Sequence, residues 1–189
     1  AQIEEYDIPP LDLVIVDLYP FEATVAGGSN HEEIIEKIDI GGISLIRAAA
    51  KNYSDVVIIS SQSDYGHLLE LLQNGVGVTT LEERKELATR AFRVSSHYDT
   101  RINEWMMGGR TVEQLNLSEM QSTELRYGEN PHQSGRFFGP LDELFDQLHG
   151  KALSYNNLLD VDAAVQLMSE FTNEETTFAV LKHNNACGM

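Results

Sequence analysis

Hydrophobic and polar positions along this chain change rhythm between strands and helices. Leu11-Asp12-Leu13-Val14-Ile15-Val16-Asp17-Leu18 follows Pro9-Pro10 and is rich in β-branched residues, which predicts a strand. It ends at Tyr19-Pro20-Phe21, where Pro20 cannot donate a further ladder bond. Asn30 with Glu33 has the spacing of a capping box, and Ile34, Ile35 and Ile38 supply the apolar positions of a short helix. Gly41-Gly42 then leads into Ile43 through Lys51. This run is apolar around most of its circumference and predicts a helix buried on several sides, ending at Asn52. Val56-Val57-Ile58-Ile59 predicts a second strand, buried on both faces. Ser63 or Asp64 is placed to cap a helix through Leu68, Leu69, Leu71 and Leu72, closed by Asn74-Gly75. Thr80 with Glu83 opens a long helix through Leu87, Ala88, Ala91 and Phe92 to Trp105. Strands alternating with helices predict an α/β fold with a mostly parallel sheet.

Gly108-Gly109 interrupts the pattern, and the stretch to about Leu125 is polar and turn-like. A domain boundary is therefore expected near residue 118, giving domains 1–118 and 119–189. Beyond it the pattern predicts a short helix from Leu141 to Leu148 and a longer one from Leu158 through Phe171. Thr176 to Leu181 reads as a strand running directly into the polar loop Lys182-His183-Asn184-Asn185-Ala186-Cys187-Gly188.

Charge narrows the functional classes. Thirteen Lys and Arg against thirty Asp and Glu give a formal net charge of −17 over 189 residues. That disfavours a protein tracking nucleic-acid phosphates, which needs a concentrated basic surface. It leaves open a small anionic metabolite held by a few local donors. A single cysteine, Cys187, excludes an internal disulfide and fits a reducing compartment. The histidines and that cysteine have no metal-ligand spacing, so no metal is expected in catalysis. No apolar run is long enough for a membrane helix and no leader pattern opens the chain, so no membrane partner and a cytoplasmic location are expected. A start without Met and a stop just after Gly188 suggest a piece of a longer protein.

Four polar clusters carry candidate chemistry. Asp17 and Tyr19 follow the first predicted strand, and ligands of open α/β sheets collect beyond the carboxyl ends of strands. Asp39, the two glycines and Lys51 bracket the next helix. Twelve residues of straight helix span about 18 Å, so Asp39 and Lys51 cannot pair directly but could bracket a ligand. The plain alternative is a Gly-Gly turn with Asp39 as a cap and Lys51 as a solvated helix end. Lys182-His183 offers an ammonium and a base near neutrality, or else a surface lysine beside a histidine held by the backbone. Arg126-Tyr127-Gly128 offers a fork of donors, an aromatic face and close approach, or else a polar loop between domains. Cys187 lacks an activating context, and His31, His67, His97 and His149 read as ordinary surface or capping residues.

Six words of this sequence, in order, resemble a known family. They are Leu18-Tyr19-Pro20-Phe21, Ile38-Asp39-Ile40-Gly41-Gly42, Arg47-Ala48-Ala49-Ala50-Lys51-Asn52, Arg126-Tyr127-Gly128-Glu129-Asn130-Pro131-His132-Gln133, Leu153-Ser154-Tyr155-Asn156-Asn157 and Lys182-His183-Asn184-Asn185. The chain resembles the bifunctional purine-biosynthesis enzymes that combine aminoimidazole-carboxamide ribonucleotide (AICAR) formyltransferase with inosine-monophosphate (IMP) cyclohydrolase. The resemblance implies that residues up to 118 are the later part of a methylglyoxal-synthase-like cyclohydrolase domain. The remainder then begins a formyltransferase domain similar in fold to cytidine deaminase. The first activity closes formyl-AICAR to IMP with loss of water; the second transfers formyl from 10-formyltetrahydrofolate, a co-substrate, to the 5-amino group of AICAR.

Residue by residue, the resemblance puts Lys51 on the family's proton donor and acceptor in ring closure, with Tyr19 and Asp39 on other site positions. Val16, Asp17, Asp39 and Ile40 fall on nucleotide contacts. His183 falls on the transferase general base, Lys182 on the residue stabilising its transition state, and Arg126 and Tyr127, with His183, on binders of the ribonucleotide. Asp17 departs from the family's usual Asn, exchanging an amide for an acceptor-only carboxylate, and Ala186 replaces a usual Pro. A homodimer is expected, because the family's transferase site forms between subunits. The family's phosphate-binding Lys-Thr-Gly segment would precede Ala1 and most of the transferase domain would follow Met189, so the fragment alone is expected to be inactive. The competing readings are a non-catalytic nucleotide-binding or regulatory module, and a dimerisation scaffold on the same fold.

Overall fold

The computed structural model describes residues 5–110, 115–171 and 176–188. The chain divides into two compact units, Ala1–Ser118 and Glu119–Met189. Helices and strands alternate in a mixed α/β arrangement.

The first unit is built on two parallel strands, β1 (Leu13–Ile15) and β2 (Val57–Ile59), with Val14 opposite Ile58. Backbone bonds from Val16 N to Ile59 O and from Val57 N to Asp12 O extend the pairing by a residue at each end. The crossover holds α1 (Phe21–Ala26), α2 (His31–Ile35) and α3 (Gly41–Lys51). After β2 a 3-10 turn, Gln62–Asp64, leads into α4 (Tyr65–Asn74), and α5 (Leu81–Met107) closes the unit. The capping boxes at Asn30/Glu33 and Thr80/Glu83 are both formed, and Gly108 ends α5 in the left-handed conformation (φ 56°). Asp64 stands at the N-cap of α4, as one of the two expected residues, but its side chain makes no capping bond; Ser61 caps the 3-10 turn before it.

All three residues of β2 are buried, and its two faces meet different partners. Ile58 packs with Ile46, Ala49 and Ala50 of α3 and with Ala88 and Ala91 of α5. Val57 and Ile59 turn the other way, toward Leu68 of α4 and Leu87 of α5. A strand covered on both sides needs a continuous apolar run, which is what the sequence supplies. Helix α3, expected to be buried on several sides, buries one stripe: Ile46, Ala49 and Ala50 face the core while Leu45 stays 56% exposed. Its exposed positions are Gly41, Ser44, Leu45, Arg47, Ala48 and Lys51, so half of them carry a polar or charged side chain. Truncating the fully buried Ile46 to Ala costs roughly 2–5 kcal/mol. A third cluster joins Phe21, Ile34 and Tyr98, tying α1 and α2 to the second half of α5.

Helix α1 was not expected from the sequence, because Pro20 reads as a stop; here it stands at the N-cap, where its missing N–H costs nothing. In the second unit β3 (Ser122–Leu125) and β4 (Gly135–Phe138) form an antiparallel hairpin where a polar turn-like stretch was expected. Helix α6 is one turn, Leu141–Leu144, shorter than expected. Helix α7 (Tyr155–Ser169) starts three residues earlier than expected because Ser154 and Asn157 form a capping box. The unit ends in a hairpin of β5 (Val180–Lys182) and β6 (Asn185–Gly188), where a strand running into a loop was expected.

Candidate functional site

The parallel crossover fixes the polarity of the first unit. Helix α3 returns antiparallel to the strands, so its N-terminus lies toward the carboxyl end of β1 and its C-terminus toward the start of β2. Tyr19 and Asp39 belong to the first of these ends. Tyr19 is 56% exposed, and the Lys37 ammonium lies 5.7 Å from its ring centroid. Asp39 is half-buried, and its Oδ1 accepts from the Gly42 N–H at 2.6 Å. A carboxylate there meets the positive end of the helix and satisfies one of its free donors. Gly42 makes this possible: a Cβ at that position would stand 2.5 Å from Asp39 Oδ2.

The backbone before Asp39 is held by Tyr98 of α5. The Tyr98 hydroxyl accepts from the Asp39 N–H at 2.8 Å and donates to the Lys37 carbonyl at 2.7 Å. Burial pushes the Tyr98 phenol above its ordinary pKa, so the hydroxyl keeps the proton it donates. The Tyr98 ring meets Phe21 edge-on at 6.0 Å, two residues beyond Tyr19. Tyr19 and Asp39 are thus joined through Lys37, Phe21 and Tyr98.

The remaining first-unit candidates differ in what they present. Asp17 accepts a 2.5 Å hydrogen bond from the Tyr65 hydroxyl at the start of α4, and that bond raises the Tyr65 pKa. Val16 turns its side chain into the core and spends its N–H on Ile59, leaving its carbonyl as the polar group it can offer. Ile40 is 71% exposed and its carbonyl accepts from Ser44. Ser60, directly after β2, buries a hydroxyl that has no hydrogen-bond partner among the described residues. Lys51 stands apart. As the last residue of α3 it lies at the far end of that helix from Asp39, about 15 Å of helical rise beyond Gly41, toward the start of β2. One copy of the chain does not gather Tyr19, Asp39 and Lys51 around a common point.

The second unit brings two of its four candidates, Tyr127 and His183, to one hollow. Arg126 donates its N–H to the Leu153 carbonyl at 2.8 Å, and Tyr155 N–H bonds to the Tyr127 carbonyl at 3.1 Å. These bonds lay the Arg126–Tyr127 segment against the start of α7. The turn that follows is closed by Gly128 N–H to the Gln133 carbonyl at 2.7 Å, with Gly128 and Gly135 back to back. A Cβ on Gly135 would come within 3.1 Å of the Gly128 Cα, so the approach depends on glycine. The Arg126 guanidinium lies 4.8 Å from the Tyr127 ring centroid and donates to its hydroxyl at 3.2 Å. Hydrogen bonding from Ser154, then the charge and hydrogen bond of Arg126, lower the Tyr127 pKa.

Tyr127 and His183 line the same hollow, about 380 Å³ in volume, together with Ser154, Asn156, Asn157 and Asp160. His183 and Asn184 form the two-residue turn between β5 and β6, with φ of 52° and 61°. Paired left-handed residues are the signature of a type I′ hairpin, and Asn is among the residues that tolerate it best. The turn is tied to α7 by Asn184 N–H to Asp160 Oδ1 at 2.9 Å. Lys182 ends β5, is exposed, and is not among the residues lining the hollow. Arg126 flanks it through Tyr127. The volume is in the range of small-molecule sites, and the lining is rich in hydrogen-bonding groups suited to a sugar or phosphate.

Asp160 and Tyr98 were not singled out from the sequence. Asp160 had no local signal beyond a helix position facing the polar loop, and Tyr98 reads as one more apolar residue of a long helix. His97, expected to be an ordinary surface histidine, instead bridges Ser118 Oγ at 2.8 Å and Glu22 Oε1 at 3.0 Å. Among the described residues no group of three or more His, Cys, Asp or Glu is placed to hold a metal ion, and no helix is long and apolar enough to cross a membrane.

Comparison with known proteins returns one family. The sequence model described as "AICARFT/IMPCHase bienzyme" matches residues 49–189. A relative from Bacteroides thetaiotaomicron, named bifunctional purine biosynthesis protein PurH, is 59% identical over 188 residues, covering 100% of this chain and 36% of its own length. Proteins of the same name from Chlorobium phaeobacteroides and Bacillus subtilis are 43% and 42% identical, each over 100% of this chain and 38% of their own length. The chain therefore spans a little over a third of the curated relatives it matches.

Proposed function

The chain belongs to the AICARFT/IMPCHase bienzyme family, and from that premise we propose that it is a segment of an enzyme catalysing the last two steps to IMP. The first unit contributes to the cyclohydrolase, in a methylglyoxal-synthase-like fold. The second begins the formyltransferase, in a cytidine-deaminase-like fold. The substrates are AICAR, formyl-AICAR and IMP, with 10-formyltetrahydrofolate as the formyl donor, in a cytoplasmic homodimer.

The observation that carries this reading is the shared hollow of Tyr127 and His183. Formyl transfer forms a bond between the 5-amino nitrogen and the formyl carbon, breaks the bond from that carbon to the folate nitrogen, and must remove a proton from the amine. His183, at the edge of the hollow, is the base that takes it, and the departing folate nitrogen gains a proton in exchange, so no net proton is released. Tyr127 and Arg126 hold the ribonucleotide, the guanidinium reaching its phosphate or carboxamide past the edge of the ring. Lys182, beside His183 in sequence and exposed, supplies an ammonium to answer charge building on the formyl oxygen. In ring closure the carboxamide nitrogen attacks the formyl carbon and water leaves. The N-terminal end of α3, with Tyr19 and Asp39, orients the substrate, and Val16, Asp17 and Ile40 contact the nucleotide. Lys51 exchanges the proton.

The test uses the full-length protein. His183→Gln abolishes formyl transfer and leaves ring closure intact, whereas Lys51→Ala abolishes ring closure with IMP binding retained. Loss of both activities in either variant, with the fold intact by circular dichroism, defeats the division of labour. A non-catalytic binding module predicts that Lys51→Ala changes affinity alone, and a dimer scaffold predicts no heat of binding on titration with IMP.

A further inference from the structure

We propose that Tyr98 is a positioning residue for ring closure, its hydroxyl setting the backbone that carries Asp39. This rests on the cyclohydrolase reading of Asp39 given above. The hydroxyl sits between two main-chain groups two residues apart, accepting from the Asp39 N–H at 2.8 Å and donating to the Lys37 carbonyl at 2.7 Å. Neither group is part of a regular helix: α2 ends at Ile35 and α3 begins at Gly41. Among the described residues the segment between them pairs with no strand, and its path is set by turn bonds back to Ile34 and Ile35 and by the Tyr98 hydroxyl.

Tyr98 is itself buried and packed. It is 6% exposed, in the middle of the longest helix, and its ring is packed with Phe21, Ile34 and the flanking residues Ile38, Ile43 and Trp105. Phe21 in turn lies edge-on to Trp105 at 5.9 Å. The hydroxyl is therefore delivered by a long helix to the point where the turn bonds leaving α2, Lys37 N–H to Ile34 and Ile38 N–H to Ile35, give out before Asp39. Asp39 is gripped at two points, its amide by Tyr98 and its carboxylate by the Gly42 N–H. The second grip fixes the carboxylate relative to α3; the first fixes the residue relative to α5 and, through Phe21, to the turn bearing Tyr19. Removing the Tyr98 hydroxyl leaves the carboxylate on its helix but frees the chain that aims it.

The experiment is a double-mutant cycle in the full-length protein with Tyr98→Phe, Asp39→Asn and the pair, reading kcat and KM for ring closure and kcat for formyl transfer. Tyr98→Phe keeps the ring and its packing. It is expected to lower ring-closure kcat about tenfold while leaving formyl transfer unchanged, since small misplacements of a reacting group cost rate out of proportion to binding. In the Asp39→Asn background the same change is expected to cost no more than about twofold, because residues acting through one another are not additive. A Tyr98→Phe enzyme with normal ring closure, or one whose loss multiplies in full with that of Asp39→Asn, overturns the assignment while leaving Asp39 in the site. If Asp39→Asn is itself fully active, both this assignment and the role of Asp39 fall.

Discussion

The main-chain amide of Asn184 donates to the Asp160 carboxylate at 2.9 Å, so the turn that carries His183 is anchored to helix α7 by a side chain from outside the hairpin. A two-residue turn has few internal bonds, and here one of its two amides depends on that carboxylate. Asp160→Ala removes the acceptor. A hydrogen bond to a charged group contributes about 1.5–3 kcal/mol where it is shielded, and this one is solvent-exposed, so the lower end applies. Formyl transfer by the full-length protein should fall about tenfold with ring closure unchanged, since a loosened turn misaims the base. Asp160→Asn keeps an Oδ1 acceptor and should recover most of the activity. Steady-state rates of both reactions decide it; a wild-type rate for Asp160→Ala would mean the tie does not hold His183 in place.

Gly42→Ala separates helix stability from the aim of Asp39. An alanine Cβ would stand 2.5 Å from Asp39 Oδ2 and 2.9 Å from its Cγ, while no backbone atom is among the three nearest. The carboxylate must rotate away and give up its bond to the Gly42 N–H, a loss of about 1 kcal/mol for a helix cap. Ala in place of Gly returns roughly 0.5–1 kcal/mol through the unfolded chain and helix propensity. The two nearly cancel. Urea denaturation should therefore show little change, whereas ring closure should drop by at least about tenfold because its carboxylate has moved. Stability lost in step with activity would show that Asp39 is a cap and no more.

Short-range signals in the sequence were read well, and the reason is physical. A capping box is complete within four residues, so Asn30 with Glu33 and Thr80 with Glu83 announce α2 and α5 without reference to anything else. The box at Ser154 escaped because its third residue is Asn157, whose short amide does the work usually given to Glu or Gln. Hairpin β3–β4 escaped for a related reason: Ser122-Thr123-Glu124 is polar and exposed, so no alternation marks it. Candidate residues could be named from chemistry and resemblance, but which of them meet is a property of packing. Nothing in the spacing of Tyr127 and His183 tells that one hollow holds both, or that Tyr98 reaches back across the crossover to Asp39. The separation of Asp39 from Lys51 was legible from helical rise alone.

The Tyr65–Asp17 pair should be visible in a titration. Accepting from the phenol, the Asp17 carboxylate raises the Tyr65 pKa above its ordinary 10.0, because ionisation would break the bond and set two negative charges together. The sign follows from linkage. A group whose folded pKa is raised stabilises the fold fully below its unfolded value, and that contribution disappears as pH rises through the folded value. The pair therefore contributes at neutral pH and is lost only in alkali. In the difference between phenolate absorbance titrations of wild type and Asp17→Ala, one tyrosine should ionise at lower pH in the variant. Asp17→Asn should fall between them, since an amide accepts the bond but adds no charge. Superimposable titrations would mean the pair is absent in solution.

Lys51 ends helix α3 and Asp39 lies just before its start, with about 15 Å of helical rise between Gly41 and Lys51, and no rotamer of either closes that distance. If both serve a single ring closure, the two must come from different copies of the chain. A cyclic dimer allows this, because each of its two equivalent sites can take Asp39 from one copy and Lys51 from the other. Lys51→Ala, inactive alone, and Asp39→Asn, strongly impaired alone, should then regain activity when the two full-length proteins are unfolded together and refolded. Random pairing makes half the dimers mixed. Each mixed dimer holds one site with both residues intact and one with neither, so recovery should approach about a quarter of the wild-type rate. If each site drew both residues from a single chain, every site in every dimer would lack one of them, and mixing would restore nothing. The same result would follow if Lys51 took no part with Asp39, except that one of the single variants would then be active from the start.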